Sequence, residues 1–272
     1  MTTTTFENPY SMICCAEHFD DPFFQSWRRK LSLPDHLHRK WWEYVYVARV
    51  LERCDMLAPG KRGLGFAVGK EPLPAAFADC GCEILMTDLP GQATWKSHAA
   101  TRAVKHERVS FRRVDMKEIP ADLAGQWDFV WSCCAFEHLG NAAAGLSFVM
   151  EAMKCLKPGG IAVHTTEYNL SSNDRTNDNC GSVMYRRRDM QALRTYLCNA
   201  GYLMAPLDVF SGDRPEDWDI GHLHEENGYL KRLVIPAGHK QLRVRTTPTH
   251  KRIAAPIGFI GTSIGFYAQV PL

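Results

Sequence analysis

The sequence has no uninterrupted apolar run approaching the ~20 residues a membrane-spanning helix needs, so no membrane partner is expected. It has no basic start followed by an apolar stretch. Met1 to Tyr10 is polar, and no secretory leader is read there. Its ten cysteines include no Cys-x-x-Cys and no repeated metal-ligand pairing, so neither a zinc module nor a disulfide framework is expected. They read instead as free, buried thiols of a cytoplasmic protein. There is no internal repeat and no low-complexity tract beyond Thr2–Thr5. An excess of one charge is missing as well. The formal net charge is +2, which gives no electrostatic footprint for nucleic acid. The one dense basic cluster, Arg186, Arg187 and Arg188, reads as a solvated helix start, with an anion or substrate contact as the alternative.

What the chain does have is enough apolar material for a core. Of its 272 residues, 45% are apolar and 23% charged, the balance of one large soluble α/β domain. Leu37 to Leu57 reads as one helix, with Trp41, Tyr44, Val45, Ala48, Leu51 and Leu57 on one face and Pro59-Gly60 as its stop. Its aromatic residues read as packing, with a helix covering a substrate cleft as the alternative. Residues 1–58 are read as an N-terminal helical extension with a mobile first 35 residues, and residues 59–272 as the main domain. From residue 60 onward short apolar runs alternate with helical stretches. Strands are expected at 63–68, 83–87, 109–114, 129–133, 161–166, 203–210 and 258–270, with helices at 74–79, 139–156 and 189–200. Such alternation gives a doubly wound, Rossmann-like parallel sheet with ligands beyond the carboxyl ends of its strands.

The first strand runs into Gly63-Leu64-Gly65-Phe66-Ala67-Val68-Gly69-Lys70-Glu71. Glycines two apart permit a tight turn and a close backbone approach to a ligand, and the following helix aims free N–H groups at it. The second strand ends at Asp88, followed by Leu89. Asp88 stands 19 residues after Gly69, near the ~20 at which a carboxylate meets ribose hydroxyls. The third ends at Asp115 and Met116, an acceptor for an adenine amino group beside an apolar surface for the ring. Two longer segments follow, "DFVWSCCAFEHL" and "LKPGGIAVHTTEYN".

From about residue 60 to 210 this set resembles a class I S-adenosylmethionine-dependent methyltransferase, and in its general look bacterial glycan or specialised-metabolite methyltransferases. The resemblance implies a seven-stranded sheet with an antiparallel last strand and S-adenosylmethionine as cofactor. It places Gly63, Gly65, Ala67 and Gly69 along the methionine and ribose, Asp88 and Leu89 at the ribose, and Asp115 and Met116 at the adenine. Ser132 falls beside the sulfonium. Two positions depart from the family pattern. The acid usual two residues before the first glycine is Gly63 here, and the middle glycine is Ala67. Glu71 is the candidate replacement partner for the cofactor's amino group.

Methyl transfer is an in-line displacement, so alignment of the acceptor is the main requirement. A hydroxyl acceptor also needs a base. His138 is the leading base, because imidazole exchanges protons at physiological pH. Glu137 is its orienter or substitute, and Glu167, Tyr168 and Asn169 are candidates to hold a small polar or sugar-like acceptor. His164, inside a strand, reads as structural. His222, His224, Glu225 and Glu226 read as a polar loop, and no metal is expected. Two rivals share the sheet. A short-chain NAD(P)-dependent oxidoreductase needs Tyr-x-x-x-Lys, and no tyrosine here has lysine four positions on. A non-catalytic methyltransferase-like scaffold is favoured by Gly63 and Ala67.

Overall fold

The computed structural model describes residues 5–89, 103, 105–178, 181–214, 217, 224–226, 229–231, 233–234, 240–245 and 257–272. In chain order its elements are Ser11–Ile13 (β1), Pro22–Lys30 (α1), Arg39–Arg53 (α2), Arg62–Gly65 (β2), Leu73–Asp79 (α3), Glu83–Asp88 (β3), Val109–Arg113 (β4), Trp127–Cys133 (β5), Ala142–Met153 (α4), Leu156–Asn169 (β6), Arg187–Asn199 (α5), Leu203–Met204 (β7), Leu207–Asp208 (β8), His224–Glu226 (β9), Tyr229–Lys231 (β10), Leu233–Val234 (β11), Lys240–Arg245 (β12) and Ile257–Gln269 (β13).

Five parallel strands stand side by side in the order β4-β3-β2-β5-β6, and β13 closes onto β6 antiparallel. The chain begins the sheet at β2, builds outward to β4, then returns to lay β5 on the other side of β2. The carboxyl ends of β2 and β5 therefore flank the point where strand order reverses, the place where such sheets bind ligands. This is the Rossmann-like mixed sheet with an antiparallel strand near its end that the sequence predicts. It is extended beyond seven strands, because β1, β7 and β12 all pair with β13.

Side-chain alternation sorts the core. Along β5, Phe129, Trp131 and Cys133 face the layer of α2 and α3, while Val130 faces the layer of α4 and α5. Helix α2 is not a one-faced surface helix: eleven of its fifteen residues are buried. Residues 5–35 make this so. Phe6, Phe24 and Trp27 cover its outer side, and β1 pairs with β13. The lead expected to be mobile is thus packed structure, and Phe6 to Met56 share one apolar cluster with Phe129 and Trp131. Caps fix the helix starts. Asp21 accepts N–H bonds from Phe23 and Phe24 before α1, whose first residue is Pro22, and Asn141 Oδ1 accepts from Ala144 N at 2.9 Å before α4.

Two expected boundaries differ. Lys157-Pro158-Gly159-Gly160 does not stop a helix. It lies inside β6, where the register with β5 shifts between Trp127 and Phe129. The expected strand over 203–210 breaks into β7 and β8, which pair with β13 and β1 respectively. No helix among the described residues is long and apolar enough to cross a membrane. The nine described cysteines are free thiols, and Cys180 lies outside the described residues.

Candidate active site

Strand β2 owes its two glycines chiefly to neighbours in β5. A Cβ on Gly63 would overlap the Phe129 ring, and one on Gly65 would overlap Trp131 and Val68. Both glycines are packing requirements, and an acidic side chain has no room at position 63. Ala67 takes φ +50° and Gly69 φ +55°, the left-handed conformation that favours glycine. Gly69 N donates to Asp88 Oδ2 at 3.2 Å, and Leu89 N donates to Asp88 Oδ1 at 2.8 Å. The carboxylate of Asp88 is thereby fixed at the end of β3. Leu89 beside it is exposed. Glu71 is buried, and its Oε2 accepts from Trp131 Nε1 at 3.0 Å. Burial pushes the Glu71 carboxyl up to about 8, against the pull of Lys40. Asp115 Oδ1 accepts from Lys117 N at 2.8 Å, and Met116 is buried next to it.

A second group of charges comes from α2, a source the sequence reading missed. Arg39 donates to Glu43 Oε1 at 2.8 Å and to Glu167 Oε1 at 3.2 Å. Lys40 Nζ lies 2.9 Å from Glu43 Oε2 and 3.0 Å from the Cys133 carbonyl. Ser263 of β13 donates to Glu43 Oε1, and so does Cys134 Sγ at 2.9 Å. Burial alone would raise the Glu43 carboxyl, but Lys40 and Arg39 overcome it and hold it at about 2. The available signal was the Arg39/Glu43 pair, four apart at the start of a helix rich in buried aromatic and aliphatic residues.

The catalytic candidates separate. Glu137 is buried, its Oε2 accepting from Thr166 Oγ1 at 3.0 Å. Its Oε1 has no hydrogen-bond partner among the described residues and lies 4.0 Å from His138 Nε2. Burial and the nearby Glu167 push its carboxyl up to about 6. His138 is half exposed, and its Nδ1 sits 2.7 Å from the Gly181 carbonyl. A carbonyl only accepts, so Nδ1 carries the proton and Nε2 the lone pair.

Three of the expected site residues are engaged within the protein itself. Glu167 has both oxygens occupied: one takes the Arg39 bond and the other accepts from Ser182 Oγ at 3.1 Å. Asn169 is consumed by its own loop: Oδ1 accepts from Ser171 and Ser172, and Nδ2 donates to the Arg175 carbonyl and Thr176. Ser132 is fully buried, its hydroxyl 2.8 Å from Nδ1 of His164, whose ring packs against Phe136, Phe148 and Phe266. His222 lies outside the described residues, as do the side chains of His224, Glu225 and Glu226 in β9. Among the described residues no cluster is placed to hold a metal ion.

Residues 64–164, from β2 into β6, match a family described as "Methyltransferase domain". Over that span the chain carries a methyltransferase domain. No curated protein matches the sequence. A Bacillus halodurans C-125 structure described as a methyltransferase is 17% identical and superposes with a TM-score of 0.51, over 83% of this chain and 99% of the other. A S-adenosylmethionine-dependent methyltransferase from Aquifex aeolicus is 14% identical, with a TM-score of 0.45 over 94% of this chain and 96% of the other. At these identities the likeness is one of fold. The cofactor of the methyltransferase domain is S-adenosylmethionine.

His164 makes the folded domain sensitive to acid. Burial holds its imidazole down at about 3 against an ordinary value of ~6.5. The unfolded chain therefore binds a proton first, and stability falls as pH drops below ~6.5. At pH 5 the expected loss is about 2 kcal/mol. The double variant Ser132→Ala/His164→Leu removes both hydrogen-bonding partners together. Its stability loss between pH 7 and pH 5, measured by urea unfolding, should be about 2 kcal/mol smaller than that of the unaltered protein. An equal loss in the two proteins would contradict a buried neutral His164.

Proposed function

We propose that this methyltransferase methylates a hydroxyl of a small polar acceptor, sugar-like in its hydrogen-bonding needs, with His138 as the base. The observation that carries the proposal is the pairing of an exposed imidazole with a buried carboxyl at the carboxyl end of β5. S-adenosylmethionine, when bound, supplies a methyl group already activated by its sulfonium. The chain then has to hold the cofactor, align the acceptor and move one proton.

The residues present suit the cofactor. Each oxygen of Asp88 keeps a lone pair after accepting one N–H bond, which matches the two hydroxyls of a ribose. Glu71 takes the place of the acid excluded from position 63. A cation beside it favours its ionised form, so the cofactor's ammonium is its natural partner. Gly69 and Ala67 bring the backbone of the turn to the ribose side, while Gly63 and Gly65 act through packing. Asp115 keeps its second oxygen for an adenine amino group, with Met116 and Leu89 as apolar surfaces for the ring.

On the acceptor side, the Gly181 carbonyl fixes the tautomer of His138, and Nε2 accepts the hydroxyl proton. The resulting imidazolium lies near Glu137 Oε1, whose ionised form stabilises it. Glu167 and Asn169 take no part in acceptor contacts in this reading. Replacing His138 by alanine should lower turnover, read as S-adenosylhomocysteine formed, by a factor of ~100 to 10,000. Affinity for S-adenosylhomocysteine should stay unchanged. Near-normal turnover of the variant across pH 6–9 would exclude His138 as base.

The cofactor half has its own check. Asp88→Ala should weaken S-adenosylhomocysteine binding by about 1–3 kcal/mol in calorimetric titration, the loss of charge-assisted bonds to two hydroxyls. An unchanged dissociation constant would place the ribose elsewhere.

A further inference from the structure

At the carboxyl end of β6 lies a cavity of about 310 Å³, a volume that admits a small molecule. Its polar lining includes Tyr168, Ser172 and Arg187, together with Asn169, whose amide is engaged within its own loop. Among the described residues that line it, Arg187 is the one charged residue and none is a carboxylate. The three consecutive arginines are not equivalent. Arg186 closes on Asp189 at 2.7 Å, and Arg188 donates to the Asp174 carbonyl at 3.0 Å with the Asp174 carboxylate at 3.8 Å. Arg187 makes no hydrogen bond or ion pair among the described residues. Its charge still reaches the Tyr168 phenol, which burial pushes up and Arg187 pulls back. Ser172 Oγ accepts from the backbone N–H groups of Asp174 and Arg175, which leaves its own proton to donate. The Arg187 guanidinium and the hydroxyls of Tyr168 and Ser172 therefore line one space to which no described residue brings an opposing charge.

We propose that this cavity binds an oxyanion, a carboxylate or phosphate, carried by the methyl acceptor, with Arg187 as its principal ligand. As a statement about the acceptor, this rests on the functional reading above. A short segment connects the two places. Gly181 holds His138 through its carbonyl, Tyr185 bridges to Tyr168, and Arg187 follows two residues later. Arg187 lies six positions after Gly181, a reach of roughly 20 Å at most, at full extension. One acceptor molecule of ordinary metabolite size can thus present an anionic end to Arg187 and a hydroxyl toward His138. Guanidinium is suited to the first task, because its planar donors match an oxyanion in a bidentate manner.

The test uses the full chain and two probes, inorganic phosphate and sodium acetate, titrated at constant ionic strength while the unfolding temperature is followed. At least one of them should raise it saturably, and which one does identifies the anion. Arg187→Gln should weaken that binding roughly tenfold or more, and Arg188→Gln should leave it within twofold. No saturable shift with either probe, or equal binding by the unaltered protein and Arg187→Gln, would overturn the proposal. Calorimetry of the same variants with S-adenosylhomocysteine separates the two readings. Failure of the unaltered protein to bind it, with the Arg187-dependent anion site intact, would count against the methyltransferase assignment and leave the anion site standing.

Discussion

The rings of Phe129 and Trp131 lie across the two glycines of β2, and the cofactor end of the molecule is arranged around that contact. The rings fill the space that side chains at positions 63 and 65 would occupy. An acid at position 63 is sterically excluded, and under the proposed function the carboxyl comes from the far side of the turn as Glu71. The same Trp131 that closes one position supports the other through its indole N–H. Packing and electrostatics are thus coupled through a single side chain. Its ring enforces glycine and its nitrogen orients the displaced carboxyl. Burial keeps that carboxyl protonated near neutrality until a cation arrives.

The second constraint is the buried charge group of α2. Taking Arg39, Glu43 and Glu167 out of water is costly, and such groups persist only when every charge is met by several partners. Here each is. Arg39 meets both carboxylates as well as Ser263 and Cys134, and Glu43 meets Arg39, Lys40, Ser263 and Cys134. These contacts join α2 to the loop after β5, to β6 and to β13. The helix is for that reason part of the wall of the site. Raising the Glu137 carboxyl is one consequence, because Glu167 is locked in place beside it.

Much of the fold was legible because periodicity and spacing report local rules. The alternation of strands and helices, Asp88 at the end of β3 and the long last strand all follow from patterns of two, of 3.6 and of about twenty residues. What stayed illegible depended on contacts between distant residues. Ser132 looks like a residue at a strand end, yet strand alternation turns it toward His164 and the opposite helix layer. Glu167 looks like an exposed acid after a strand, yet Arg39, 128 residues earlier, claims it. Asn169 looks like an acceptor contact, yet its amide organises the next seven residues. The lead before α1 looked loose because its apolar residues are scattered. Their partner is the outer side of α2, and no spacing rule connects the two.

The central claim is that this reshaped turn, with its acid moved from position 63 to Glu71, still receives S-adenosylmethionine and rejects a dinucleotide. Isothermal titration of the intact chain with S-adenosylhomocysteine and, separately, with NAD tests it most directly. The account predicts saturable one-site binding of S-adenosylhomocysteine, weakened in Glu71→Gln, and no binding of NAD. Tight NAD binding without S-adenosylhomocysteine binding would contradict it.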